Sequence, residues 1–233
     1  MKFRLPFWMV LCVMVTLACD NTIDLIQPHT WDIFPVVEGQ SRITFRIDST
    51  YDTSGGLEDR YYKRETYDNL ETDLTGRELR RILVDRSAAD LGTDYQWNRD
   101  RVWSVFVPDS VNGDYFIERM EENRKIRILK FPVLEGIKWN GNLLNQNDTE
   151  EFEYVITDTT VTVTAGTFDN CVMVVNKDER GSFIQKTYAY EIYAPGVGLI
   201  KKFDQTKFFD KPGNAFNEAA SYVIQEELVE LPR

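Results

Sequence analysis

The side chains that most often do chemistry are scarce in this sequence. The chain has 233 residues but a single histidine, His29, and three cysteines, Cys12, Cys19 and Cys171. A Ser-His-Asp triad would depend on that one histidine, and no G-x-S-x-G elbow is present. Zinc sites built from several His or Cys side chains are excluded, and the sequence has no glycine-rich nucleotide-binding motif. We therefore assign no catalytic residue, no metal and no cofactor.

The strongest chemical signal is the sequence context of Cys19. Lys2 and Arg4 precede an apolar stretch at residues 5–18, which is shorter than the about 20 residues that span a bilayer and suits a secretory signal. The stretch leads into TLAC at residues 16–19, which resembles the lipobox of bacterial lipoproteins, with threonine where leucine is usual. The resemblance implies a signal peptide over residues 1–18 and a diacylglycerol on the sulfur of Cys19, which attaches the mature protein to a membrane.

Two other interpretations of the N-terminus stay open. Cys19 could be incidental after an ordinary cleavage site at Ala18, or the apolar stretch could remain as an uncleaved anchor. In the lipidated form Cys12 leaves with the signal, so Cys171 has no partner for an intramolecular disulfide. Cys171 lies in a strand-like apolar run with no histidine close in sequence, and we interpret it as a small buried hydrophobe rather than a nucleophile.

The charge of the chain limits its partners. The formal net charge is −11, and removal of residues 1–18 leaves 25 basic and 38 acidic side chains, or −13. Such a charge repels phosphate, so we expect no nucleic-acid partner. It also argues against a broad electrostatic attraction to anionic lipid.

The elements that position these residues are predicted to be strands. After a polar tether at residues 19–33, apolar and polar residues alternate with a period of two, for example in 42–48 and 187–193. This alternation indicates strands with one buried and one solvated face, and the turn signals between them give ten to twelve strands. No stretch favours a long amphipathic helix. We therefore predict an all-β body over 34–233, made of one or two curved antiparallel sheets.

A hexapeptide occurs twice in the body. Phe34-Pro35-Val36-Val37-Glu38-Gly39 returns as Phe131-Pro132-Val133-Leu134-Glu135-Gly136, with five of six residues identical. The repetition is consistent with two related halves, 34–130 and 131–233. It is equally consistent with a common strand entry that arose twice, because the sequences diverge directly after it.

Several local strings together resemble a family of uncharacterised lipoproteins from Bacteroidetes and related bacteria. They are the F-P-x-x-x-G motif, WNGN at 139–142, AGTF at 165–168 and YAPGVGLIK at 193–201. The resemblance implies an outer-membrane location and a curved antiparallel sheet, and it carries no catalytic residue. Such bacteria glycosylate exported proteins at D-[ST]-[AILMTV], which makes Ser49, Ser110 and Thr159 candidate O-glycosylation sites.

Aromatic and acidic residues are abundant, but the sequence does not place them in a site. Trp139 with its Asn-Gly pair is predicted to anchor a tight turn. The acidic residues at 148–153 are predicted to form a solvated loop and strand edge. A row of aromatics on an exposed face would indicate ligand stacking, but sequence does not settle which face is solvated.

These features favour a non-enzymatic role. Our first hypothesis is an accessory subunit, bound to the outer membrane through Cys19 and docked on a larger envelope protein assembly. The alternative is a carrier in which the curved sheet encloses a lipid or acyl chain. A hydrolase that uses two carboxylates is a third hypothesis.

Lipidation gives the first testable prediction. A Cys19→Ser variant lacks the sulfur that accepts the diacylglycerol, so it is expected to move from the membrane to the soluble periplasmic fraction. Fractionation and intact-mass measurement check this. If the variant stays in the membrane and is still cleaved after Ala18, the anchor lies elsewhere.

Overall fold

The structure, a computed structural model, describes residues 31–52, 55–108, 115–209 and 216–233. Cys19, His29 and Ser110 lie outside these ranges. Within them, no helix is long and apolar enough to cross a membrane.

The described residues form one antiparallel sheet of twelve strands, which confirms the predicted all-β class. The only helical elements in these ranges are two three-residue 3-10 helices, Trp31–Ile33 and Ala89–Leu91. The strands are β1 (Ser41–Asp52), β2 (Gly55–Thr72), β3 (Glu78–Ala88), β4 (Asn98–Phe106), β5 (Tyr115–Glu121), β6 (Arg124–Phe131), β7 (Lys138–Asn140), β8 (Glu151–Val163), β9 (Gly166–Glu179), β10 (Gln185–Ala194), β11 (Gly198–Phe209) and β12 (Phe216–Glu230).

The sheet consists of two meanders of six strands. Strands β1–β6 pair in sequence order, strands β7–β12 do the same, and β1 pairs with β12 to join them. The sheet edges are therefore β6 and β7, which are consecutive in the chain. Within each meander, strands that are consecutive in the chain are neighbours in the sheet, so neither meander needs a long crossover.

The curvature of the sheet brings its two edges together through side chains. Trp139 Nε1 on β7 donates to the carbonyl oxygen of Arg127 on β6 at 2.8 Å. The Tyr154 hydroxyl on β8 donates to the carbonyl oxygen of Lys130 at 2.6 Å and accepts from the amide of that residue at 3.0 Å. One backbone hydrogen bond, from Arg127 N to Gly141 O at 2.9 Å, adds to these contacts. Trp139 is thus the buried anchor that its sequence context predicts.

The glycines that end the two hexapeptides adopt the same local structure. Gly39 and Gly136 both have φ of 78°, a left-handed conformation that favours glycine. The amide of Gly39 donates to the carbonyl of Tyr67, and that of Gly136 to the carbonyl of Tyr154, each at 2.8 Å. Each hexapeptide leads into the first strand of a meander.

The folded body begins earlier than the sequence analysis predicts. The sequence predicts that Ile33 belongs to the polar tether, but it is fully buried next to Phe34 in the main core. The carbonyl of Asp32 accepts a hydrogen bond from the amide of Gly196, at 2.7 Å. The folded body therefore includes Asp32 and Ile33, because a backbone hydrogen bond fixes the first and apolar packing fixes the second.

The β8–β9 hairpin bends over the outer face of the sheet. Its pairing contains three register shifts, which increase bending and twist. At its tip, Ala165 N donates to the Leu228 carbonyl at 3.1 Å. Cys171 is completely buried in the cluster beneath this hairpin, and burial raises the pKa of its thiol. Both observations agree with its interpretation as a buried hydrophobe.

The packing of the edge strands gives a prediction. A Cβ atom at Gly141 would lie 2.3 Å from the Phe152 ring, whereas a Cβ at Gly181 would meet nothing within 4 Å. Gly141→Ala is therefore expected to lower the free energy of unfolding by about 1–3 kcal/mol through overpacking. Chemical denaturation of the Cys19→Ser chain measures this, with Gly181→Ala as the control. Equal stability of the two variants would contradict the packing described here.

Candidate functional site

The concave interior of the sheet contains a row of alternating charges. Glu191, Lys202, Glu226 and Arg46 are successive cross-strand partners on β10, β11, β12 and β1. Lys202 Nζ lies 2.7 Å from Glu191 Oε1, and Arg46 Nη1 lies 3.5 Å from Glu226 Oε2. We call these four residues the charged row. It spans the β1–β12 pair that joins the two meanders.

The ion pairs continue from the charged row onto β2. Lys63 Nζ lies 2.5 Å from Glu226 Oε1 and 2.7 Å from Glu65 Oε1. Arg42 Nε donates to Glu65 at 3.1 Å, and the hydroxyl of Thr44 donates to Glu226 at 2.9 Å. These side chains are all buried. Such pairs are costly to break, because the remaining charge stays buried without a partner.

One cation of the β1–β6 meander reaches across the interior to the β7–β12 meander. Arg119 on β5 pairs with Glu121, and its Nη2 lies 3.7 Å from Glu191 Oε1 on β10. Its guanidinium carbon is 5.7 Å from the centre of the Trp103 ring, and Lys63 Nζ is 5.6 Å from the same ring. Strands that are distant in the sheet therefore meet through these charges.

Burial and ion pairing set the ionisation of these groups. Burial alone would raise the pKa of Glu191, but Lys202 and Arg119 outweigh it and lower that pKa to about 2. Glu65 and Glu226 also have lowered pKa values, because their cationic neighbours outweigh the burial. Burial raises the pKa of Tyr193, whose hydroxyl donates to Glu191. A catalytic acid needs a pKa near the operating pH, so this arrangement suits structure rather than proton transfer.

The outer face of the same strands carries aromatic and aliphatic residues. Tyr190, Phe203, Gln225 and Ile47 are cross-strand partners in one row, and Phe45 pairs with Glu227 in the next. The Tyr190 and Phe203 rings are stacked, with centroids 5.6 Å apart. The aromatic side chains here are half-buried rather than enclosed.

These residues line a groove of about 520 Å³. We call it the outer groove; it is lined by Phe45, Ile47, Thr164, Tyr190, Lys201, Lys202, Phe203, Gln225, Glu226 and Glu227. The hairpin tip borders it, since Thr164 N donates to Glu227 Oε1 at 2.7 Å. Aromatic contacts continue beside it from Phe45 to Tyr62 at 5.3 Å and from Tyr62 to Tyr95 at 5.0 Å.

The acidic segment at residues 148–153 lines a separate, polar depression of about 830 Å³. Lys138 on the edge strand pairs with Glu151 at 2.7 Å and Glu153 at 3.3 Å. Glu150 accepts hydrogen bonds from the side-chain amides of Asn142 and Asn176. Asp148 lies in an exposed loop, as predicted, but Glu151 and Glu153 lie on β8, which pairs with both β7 and β9 and is therefore not the sheet edge. Among the described residues, no group of three His, Cys, Asp or Glu side chains could hold a metal ion.

The candidate modification sites are not brought together. Ser49 lies on β1 opposite Val223 of β12, and Thr159 lies in the bent β8–β9 hairpin opposite Cys171. Cys19 and Ser110 are outside the described ranges. The charged row is not predicted from the sequence, although Arg46 and Glu191 occupy polar positions of the alternating segments 42–48 and 187–193.

The comparisons with known proteins do not identify a family. No family model matches the sequence, and no curated protein matches it. A solved structure described as an exported protein with a YmcC-like fold, from Bacteroides fragilis NCTC 9343, is 15% identical, with a TM-score of 0.43; the match covers 85% of this chain and 97% of that one. A solved structure described as a lipoprotein, from Parabacteroides distasonis ATCC 8503, is 14% identical, with a TM-score of 0.33; the match covers 86% of this chain and 98% of that one. At this level of likeness neither assigns a role to the present chain.

The charged row generates a prediction about pH. The pKa of Glu191 is about 2 in the folded protein, against an ordinary value of 4.5. Its ion pairs therefore stabilise the fold fully above about pH 5, and this contribution is lost as the pH falls towards 2. Glu191→Gln is expected to lower the free energy of unfolding by about 3 kcal/mol at pH 6, with a smaller difference from the parent at lower pH.

Urea denaturation between pH 6 and pH 3 measures this difference. Glu58→Gln is the control, because Glu58 pairs with Arg60 on the surface, where an ion pair contributes less than about 1 kcal/mol. A difference for Glu191→Gln that does not change with pH would contradict the proposed ionisation.

Proposed function

We propose that the protein is a non-enzymatic lipoprotein of the bacterial envelope, held at the outer membrane by Cys19 and docked through the outer groove on a larger envelope protein. The observation that carries this proposal is the placement of side chains on β10–β12 and β1. Their charges occupy the interior, and their aromatics lie on the outside.

The groove has the chemistry of a protein interface. Aromatic residues are enriched at such interfaces, where they provide most of the binding energy. Tyr190, Phe203 and Phe45 are half-buried in the free chain, so a partner could cover their remaining apolar area at little cost in side-chain entropy. Lys201 also lines the groove, and its charge would fix the orientation of the partner.

A non-enzymatic role is favoured by the state of the reactive groups. The carboxylates of the charged row are ion-paired and have lowered pKa values. The thiol of Cys171 is buried and its pKa is raised. Neither group has the accessibility and the pKa that a nucleophile or a general acid requires.

A carrier of lipid or acyl chains is the weaker alternative. Such a carrier needs an enclosed apolar cavity. The interior that the described residues enclose is occupied by fully buried side chains such as Phe34, Phe131 and Tyr154, and by the ion pairs of the charged row. The packing therefore supports docking on the outer face over uptake into the interior.

Native mass spectrometry of the lipidated protein, taken from source membranes in mild detergent, tests the proposal. We expect the 19–233 chain with its acyl groups and a second protein in fixed ratio. Phe203→Ser is expected to lose this partner, because it removes the central ring of the groove. Phe183→Ser is the matched control, since Phe183 is an exposed aromatic in the β9–β10 connection.

Two outcomes would overturn the proposal. If the chain occurs alone with extractable lipid of a few hundred daltons, the carrier is correct. If a partner binds equally well to the parent and to Phe203→Ser, docking does not use the outer groove.

A further inference from the structure

The chain enters the folded body at one defined end of the sheet. The described part begins at Trp31, and the next residue, Asp32, is bonded to Gly196 in the turn between β10 and β11. Strand β1 starts at this end, and β6 and β10 finish there. We call it the tether end, because the proposed lipid on Cys19 connects to the body here.

The tether end carries a rim of exposed aliphatic residues. They are Val37, Leu70, Leu74, Leu134 and Leu231. Leu74 is completely exposed in the β2–β3 turn, where the Asp73 carboxylate holds the backbone amides of Thr75 and Arg77. Val37 and Leu134 are the fourth residues of the two hexapeptides, so the repeat presents an aliphatic side chain at this end twice.

Two acidic residues beside this rim, Glu38 and Asp73, are ion-paired, whereas Glu135 next to Leu134 is exposed. Glu38 pairs with Arg80 at 2.7 Å, next to Val37. Asp73 pairs with Arg77 at 3.0 Å, next to Leu74. At Val37 and Leu74 the neighbouring acidic side chains are therefore neutralised. Their charges do not oppose close approach to a zwitterionic lipid surface.

Exposure alone does not identify a membrane-facing end, because the opposite end exposes Leu57 and Phe183. The length of the tether distinguishes the two ends of the sheet. The twelve peptide steps from Cys19 to Trp31 reach at most about 43 Å when fully extended. Strand β1 alone, with twelve residues, spans about 40 Å. A tether that ran along the body to the opposite end would use nearly its whole reach.

We propose that the rim of the tether end inserts into the surface of the bilayer that holds the lipid on Cys19. The contact is aliphatic, and its partner is the zwitterionic lipid surface. It orients the strands away from the membrane and leaves their outer face accessible from the side. This inference depends on the proposed lipid anchor but not on the outer groove.

Lipid-borne quenchers test the orientation. The lipidated chain is reconstituted in vesicles of phosphatidylcholine and phosphatidylethanolamine, with Leu74→Cys or Leu134→Cys labelled by an environment-sensitive fluorophore. Cys171 is buried and does not compete for the label. We expect a blue shift of the emission and strong quenching by nitroxide lipids at both positions. Leu57→Cys and Phe183→Cys are the matched controls and are expected to show neither effect.

Flotation of the vesicles separates the two ways in which the test can fail. A chain that does not float with the vesicles has no lipid anchor, which overturns the proposed function. If the chain floats but the label is unquenched at positions 74 and 134, or is quenched equally at positions 57 and 183, the rim does not insert into the bilayer. This result overturns the inference about the rim and leaves the lipid anchor supported.

Discussion

The charged row inside the sheet is the interaction on which the rest of the structure depends. Three of its residues lie on β10, β11 and β12, and the fourth lies on β1. The ion pairs therefore link the C-terminal meander to the N-terminal one. Arg119 extends the network across the interior from β5 to β10. Charges buried in this way are tolerated only when they are paired. Because side chains alternate along each strand, the charged positions face the interior and the neighbouring aromatic side chains face outward.

Much of the architecture follows from local patterns in the sequence. The period-two alternation predicts the strands, and the lack of helical crossovers predicts antiparallel pairing; both are confirmed. Trp139 is the buried anchor that its neighbouring turn residues indicate. These predictions succeed because pleat and turn chemistry depend on residues close together in the chain.

The faces of the strands illustrate what a local pattern does not contain. In β1, Arg42 and Thr44 are buried, whereas Phe45 and Ile47 on the opposite face line the outer groove. Alternation sorts residues into two faces, but only the curvature of the whole sheet decides which face is enclosed. Ile33 shows the same limit, since an apolar residue at the end of a polar stretch joins the core with residues from distant strands.

The two meanders meet at two junctions, β12–β1 and β6–β7, which are built differently. Strands β12 and β1 form a long ladder with one register shift, between Ile43 and Thr44. Strands β6 and β7 hold the corresponding places between the meanders, but β7 has only three residues, and side chains such as Trp139 complete the contact. The equivalent hexapeptides start both meanders and place Val37 and Leu134 at the same end.

Taken together, the two surfaces define a consistent geometry for an anchored protein. With the tether end against the bilayer, the strands point away from the membrane, and the outer groove faces sideways. A partner in the same membrane then meets the groove by diffusion in two dimensions, in a narrow range of orientations. Anchoring raises the effective concentration of the two surfaces. A half-buried groove of modest size can then support a stable complex that free chains in solution would form only weakly.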